Sequence, residues 1–222
     1  MMIMGLVCLD TIWHDKTIFA ISKTLECINI DKIYWFSDIP LNYDFHIPVI
    51  WTKINKLTKE NLLYENGIIY TKLIPSIVNT DYAMYIHSDG FPVNKDSWDN
   101  EFLDYDYIGA PWPFHPPYQN VGNGGFCIKS LKLHKAILKL NIDDYILHEY
   151  PEDNIICKFY REELESKYDI KFAPEKLACK FSMENNYDYP KQSYNYWIGK
   201  SFGFHNTFLC KYYGYSPEQL KG

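Results

Sequence analysis

Short apolar runs recur along this chain, and most of them stop abruptly at a polar, turn-forming pair. Ile3 to Leu9 is the first, closed by Asp10-Thr11; a run without alternation suits a strand buried on both faces of a sheet. Lys16 to Ile28 carries apolar residues at helical spacing and predicts a helix. Lys32 to Phe36 predicts a second strand, ended by Ser37-Asp38 and the break at Pro40, and Pro48 to Trp51 a third. Thr58 to Val78 is again helical in pattern, with Thr58 as its cap and interruptions near Gly67 and Pro75. Tyr82 to Ile86 then runs straight into His87-Ser88-Asp89-Gly90. Strands alternating with helical stretches imply right-handed crossovers, so the predicted fold class is α/β, a mostly parallel sheet flanked by helices.

The second half changes character. Residues 107–121 combine Pro111, Pro113, Pro116 and Pro117 with Trp112, Phe114, His115 and Tyr118, a mixture that predicts an ordered surface loop over the sheet edge. Gly122-Asn123-Gly124-Gly125 ends it, followed by the strand-like Phe126-Cys127-Ile128 and a helix from about Ser130 to Leu140. Pro151-Glu152-Asp153 opens a further helix through Lys167, with proline in the first turn and two acids at the positive helix end. Tyr194 to Phe208 forms an aromatic tail, and Pro217 marks the expected end of compact structure.

With 222 residues the chain fits one sizeable domain, and no repeat or low-complexity tract divides it. Its 20 tyrosines stand beside a single arginine, Arg161, and many Lys, Asn and Ile, so A/T-biased coding explains much of the aromatic surplus. A net charge of -6 argues against a phosphate-backbone partner, and no nucleic acid is expected. The six cysteines are scattered without a Cys-x-x-Cys and read as small buried hydrophobes of a reducing compartment. Met1 to Leu9 is too short, and lacks the basic residues, for a signal peptide. With no apolar run of membrane-spanning length, a soluble, cytoplasmic protein without a transmembrane segment is expected.

Candidate chemistry gathers at the strand ends, because ligands of open α/β sheets bind outside the carboxyl ends of the strands. Asp89 is the first candidate, an oxygen ligand for a metal ion; the commonplace alternative is that it starts a β-turn completed by Gly90. His87 is a rival ligand on the same strand, and His205, in Phe202-Gly203-Phe204-His205, completes a coordination sphere with Asp89 if that segment folds back over the sheet. Asp153 is the candidate general base, with Glu152 the acid more suited to the helix end. Lys72 would balance a diphosphate if it faces the cleft, and Asp38 would hold a base or ribose unless it only forms a turn. Gly124 and Gly125 read either as a hairpin turn or as the floor of a pocket for a planar or sugar ring, with Trp112 and Phe114 beside it.

The order of these motifs, together with Asp104-Tyr105-Asp106-Tyr107-Ile108-Gly109-Ala110-Pro111-Trp112-Pro113, resembles the DUF5672 family of glycosyltransferases from about Met4 to Phe208. The resemblance implies a single GT-A-like, Rossmann-like domain over 1–222. Its nucleotide-binding half would span about 1–90 and its acceptor-binding half about 91–210. It also implies a nucleotide diphosphate sugar donor, a UDP-sugar first among them, a glycan or other hydroxyl acceptor, and Mn²⁺ or Mg²⁺. On that reading Asp10, Thr11, Asp38, Lys72, His87, Ser88 and Asp89 face the donor, and Asp89 with His205 holds the metal. Trp112, Phe114, Gly124 and Gly125 face the acceptor, and Asp153 with Glu152 carries the catalysis. The class places ribose and metal on an Asp-x-Asp motif, whereas here His87 stands at the first position. That departure keeps an alternative open, a non-catalytic carbohydrate-binding or degenerate transferase domain. A metal-dependent hydrolase built on His87 and Asp89 needs more ligands than the sequence offers.

Overall fold

The computed structural model describes residues 2–184 and 196–220, so Met1 and the start of the aromatic tail at Tyr194 lie outside the described residues. In chain order its first elements are strand β1 (Met4–Leu9), helix α1 (His14–Cys27), strands β2 (Lys32–Ser37) and β3 (Val49–Lys53), and helices α2 (Leu62–Ile68) and α3 (Ile74–Ile77). Strands β4 (Tyr82–Ile86), β5 (Gly90–Pro92), β6 (Tyr107–Ile108), β7 (Ala110–Pro111), β8 (Val121–Gly122) and β9 (Phe126–Ser130) follow. Helices α4 (Leu131–Ile137), α5 (Asp143–Leu147), α6 (Glu152–Asn154), α7 (Arg161–Tyr168) and α8 (Glu175–Phe181) precede strands β10 (Ser182–Met183) and β11 (Gly203–His205).

The main sheet has six strands in the order β3-β2-β1-β4-β9-β6. The first four are parallel, while β9 runs antiparallel to both β4 and β6. The period-2 geometry of a strand sorts its side chains onto two faces. Leu6, Trp35, Met84 and Ile128 enter one core cluster, whereas Val7, Tyr34, Tyr85 and Cys127 enter the other. Both faces are therefore dry, which is why these strands read as unbroken apolar runs. Truncating Met84, which is wholly buried, would cost about 2–5 kcal/mol on the usual scale for large-to-small core changes. All six cysteines are buried thiols, and no helix of the described residues is long and apolar enough to cross a membrane.

From β1 the chain moves outward to β2 and β3, then returns to place β4 on the other side of β1. This reversal opens a crevice at the carboxyl ends of β1 and β4, the topological switch point of such sheets. A smaller three-stranded sheet, β10-β11-β5, roofs that end, with His205 of β11 paired to Gly90 of β5.

Several boundaries differ from the sequence reading, each for a local reason. Helix α1 starts at His14 because Asp10 organises the turn before it, accepting the Ile12 and Trp13 N–H groups at 2.8 and 2.7 Å and the Thr17 hydroxyl at 2.6 Å. The helix expected from Thr58 begins only at Leu62, and residues 69–73 form a π-helical turn that carries it without a break into α3. A second π-helical turn, residues 155–159, follows α6. Residues 107–121 are not a surface loop throughout: β6 pairs with β9, β7 pairs with β8, and Tyr107 is buried with its hydroxyl donating to the Asn123 carbonyl at 2.8 Å. Only the middle stays outside, with Phe114 and Tyr118 strongly exposed.

Candidate active site

The crevice holds a cavity of about 390 Å³ whose wall includes Asp10, Thr11, Tyr70, His87, Ser88 and Asp89. That volume is in the range of small-molecule sites. Beyond the end of β4, His87 and Gly90 exchange backbone hydrogen bonds, so Ser88 and Asp89 form the tip of a tight hairpin. The hairpin thrusts the Asp89 carboxylate out past the sheet. Strand β11 returns His205 to the same point, its Nε2 3.6 Å from Asp89 Oδ1. One ligand atom from each of His87, Asp89 and His205 fits within 4.8 Å of the others.

Such a set suits a divalent cation. One carboxylate and two imidazoles give hard and intermediate donors together, favouring Mn²⁺ or a later transition metal over Mg²⁺, which prefers an all-oxygen shell. Burial, aided by the neighbouring His205, pushes the His87 imidazole down to about 4 against the opposing charge of Asp89, so its ring is neutral at pH 7. The Tyr70 hydroxyl holds that ring through a hydrogen bond to Nε2 at 2.7 Å. Burial also lowers His205, but the Glu184, Asp89 and Asp153 carboxylates outweigh it and hold this imidazole above its ordinary value.

The glycine-rich run lies beside the cluster, and its free space is already filled by protein. A Cβ on Gly122 would strike the Trp112 ring, one on Gly124 the Glu152 carboxylate, and one on Gly125 the imidazole of His205. The run is thus a seat for three side chains rather than a bare floor for a ligand ring. Asn123 turns the run with a φ of 87°, and its side-chain oxygen accepts the Gly125 N–H at 2.8 Å.

Asp153 reaches the same place from the start of α6, accepting the Gly124 N–H at 3.2 Å. Burial first, then the charges of Glu152 and Glu184, raise its carboxyl to about 7 against the hydrogen bonds from Asn154 and Gly124. Glu152 turns inward instead, with Oε1 3.8 Å from the Nζ of Lys129, a wholly buried lysine on β9. The ammonium sits 4.3 Å from the Tyr85 ring centroid and 5.5 Å from that of Tyr70.

Other sequence candidates are placed elsewhere or already engaged. Lys72 is half exposed and ion-paired with Asp143, away from the cavity wall. Asp10 lines the cavity but its oxygens serve the α1 turn, and the Thr11 hydroxyl accepts the Leu57 N–H at 3.0 Å. Asp38 lies 3.3 Å from His14, whose imidazole lines a neighbouring hollow of about 380 Å³. Trp112 is partly buried, with Nε1 donating to Glu184 at 3.2 Å, while Phe114 stays exposed. Sequence reading missed Tyr70, Lys129 and Glu184. Lys129 alone left a signal, a charge inside the strand-like Phe126-to-Ser130 run.

The family model DUF5672, described as a protein of unknown function, matches residues 51–205. No curated protein sequence matches the chain. Among solved structures, the apo-form glycosyltransferase GlyE of Streptococcus pneumoniae TIGR4 is similar over 98% of this chain and 62% of its own, with a TM-score of 0.54 and 14% sequence identity. The chain thus spans less than two thirds of GlyE. A glycosyltransferase involved in the glycosylation of the major capsid of PBCV-1 aligns over 100% of both chains, with a TM-score of 0.48 and 11% identity. The likeness to GlyE is one of fold: a mixed α/β architecture with a mostly parallel central sheet flanked by helices.

Proposed function

The chain belongs to the DUF5672 family, and from that membership, its glycosyltransferase-like fold and the crevice at the β1/β4 switch point we propose that it transfers a sugar from a nucleotide diphosphate donor to a hydroxyl of a glycan or other acceptor. One GT-A-like domain carries the reaction, residues of about 1–90 binding the nucleotide and those of about 91–210 the acceptor. The observation that supports the reading best is convergence: Asp89 with His87, His205 and Asp153 meet beside one crevice from three separate segments.

In this reading Asp89 and His205, with His87 beside them, hold a divalent cation, Mn²⁺ in preference to Mg²⁺. When bound, such a cation supplies Lewis-acid stabilisation of a departing diphosphate. The hairpin tip at Ser88-Asp89 and the backbone around Thr11 receive the nucleotide. Asp153 accepts the proton of the acceptor hydroxyl as its oxygen bonds to the anomeric carbon. The bond from that carbon to the diphosphate oxygen breaks, and its electron pair leaves with the nucleoside diphosphate. A base poised near the working pH suits this step. Glu152, held by Lys129, keeps the Asp153 backbone and the glycine seat in place, and Trp112 with Phe114 borders the acceptor.

The test is release of free nucleotide from a panel of nucleotide sugars in the presence of Mn²⁺, with thermal shift to identify the base. Turnover by the wild-type chain that falls about 10²–10³-fold in Asp89→Ala, at unchanged thermal stability, is expected. Binding without any nucleotide release would instead favour a non-catalytic sugar-binding domain.

A further inference from the structure

His205 enters the cluster in an unusual setting. Its ring lies against Gly90 and Gly125, where any added Cβ would overlap it, so glycine backbone packs directly on the imidazole. Backbone contact of this kind fixes the plane of an imidazole but says nothing about which edge carries which nitrogen. The χ2 torsion of histidine is broad and roughly two-fold, so the distinction must come from polar groups at the ring edges. Among the described residues, ion-pair contacts lie at both nitrogens: Asp89 Oδ1 3.6 Å from Nε2, and Glu184 Oε1 3.4 Å from Nδ1.

Glu184 is well placed to decide. It directly follows β10, whose Met183 is paired in parallel with Phe204, so the register carries Glu184 alongside His205. Its second oxygen accepts from Trp112 Nε1 at 3.2 Å, and Trp112 is in turn seated on Gly122. The carboxylate is therefore anchored from the acceptor side and presents one oxygen to the imidazole.

Resting on the proposed metal role of Asp89 and His205, we propose that Glu184 is a positioning residue. The buried Nδ1 of His205 has no hydrogen bond in this arrangement, and Glu184 Oε1 is the acceptor within reach of it; by taking the Nδ1–H, Glu184 would fix the tautomer and the ring orientation so that the Nε2 lone pair is directed at the cation site beside Asp89. Carboxylate–histidine–metal arrangements use such a partner to orient the ligand, and losing it typically lowers metal affinity about 10–100-fold.

The experiment compares the wild-type chain with Glu184→Met, which keeps the volume but removes both acceptors, and Glu184→Gln, which keeps an acceptor oxygen. Two readouts are taken. One is the ¹⁵N chemical shift of the His205 imidazole in metal-free protein, read at the alkaline plateau of a pH titration. The other is Mn²⁺ affinity by calorimetry, with thermal unfolding to establish that each variant is folded. Expected are an Nδ1–H tautomer in wild type and Glu184→Gln, its loss in Glu184→Met, and a drop of about 10–100-fold in Mn²⁺ affinity for Glu184→Met against a few-fold for Glu184→Gln. Should Glu184→Met not fold, Glu184→Leu, which likewise lacks an acceptor, takes its place on the same two readouts: loss of the Nδ1–H tautomer with lowered Mn²⁺ affinity supports the role, and no change in either overturns it. A wild-type ring protonated on Nε2, or a folded Glu184→Met with unchanged tautomer and affinity, overturns it. An Nδ1–H tautomer that Glu184→Met removes, in a wild type that binds no Mn²⁺, upholds Glu184 as the orienting group and removes the cation from the proposed function instead.

Discussion

Gly125 and His205 share one volume: a Cβ on Gly125 would overlap the Nε2 edge of the imidazole. Gly125→Ala should therefore push His205 out of line with Asp89 while disturbing little else. An overpacking cost of about 1–3 kcal/mol is expected, together with a fall in Mn²⁺ affinity of at least about tenfold. Chemical denaturation and calorimetry on the same sample measure the two, and normal Mn²⁺ affinity would show that the seat does not govern the site.

The donor set sets the metal preference. With two imidazoles and one carboxylate within reach of one ion, Mn²⁺ should stimulate nucleotide release at least about tenfold more than Mg²⁺ at equal concentration. Chelation followed by single-metal add-back checks this, and equal rates with both ions would point to ligands other than His87 and His205.

Asp153 separates activity from stability. Its carboxyl is held near 7, and a base must be ionised, so kcat/KM should rise with pH through about 7 and then level off. The linkage has the opposite sense. A folded-state value raised above the unfolded one contributes stability that is complete below the unfolded value and is lost as pH rises through 7. Asp153→Asn should thus lack the activity, yet at pH 8 be as stable as wild type or more so. A pH–rate profile alongside denaturation at pH 5 and pH 8 tests both halves.

Lys129 and Glu152 form a pair from which water is largely excluded. Lys129→Met strands a buried carboxylate and should destabilise the chain by about 3–5 kcal/mol, whereas Lys129→Met with Glu152→Gln should recover much of that loss. A double-mutant cycle by urea denaturation provides the coupling energy. Purely additive effects would mean that the two groups do not sense each other.

What the sequence revealed, and what it hid, follows from the range of each interaction. The strand ends at Asp10, Ser37 and His87 were legible because a buried strand must stop where polar groups begin. The antiparallel course of β9 was not, since an apolar run looks alike in either direction. Gly122 to Gly125 announced room but not its occupants: Trp112, Glu152 and His205 arrive from three remote segments. Lys72 looked available because helical spacing does not say which face meets the crevice, and its actual partner is Asp143. Glu184 carried no local signal, as its neighbourhood is created by the pairing of β10 with β11. His205, by contrast, stood out as a lone imidazole among apolar and glycine neighbours.

The two π-helical turns set a limit on how this chain tolerates length changes. Tyr70 lies within the first, and the second begins two residues after Asp153. Each wide turn holds one residue more than an α-helix would fit into the same rise, and such bulges gather at functional sites. Deleting a single residue from 69–73 would let the wide turn close to α-helical geometry with the flanking helices still in register, so the change would fall on the residues of the turn itself. Tyr70 would swing off His87 even though every side chain of the crevice was still encoded. Homologues that lose a residue there should have changed their ligand at position 87 as well, which makes an insertion–deletion pattern a better guide to this site than residue identity alone.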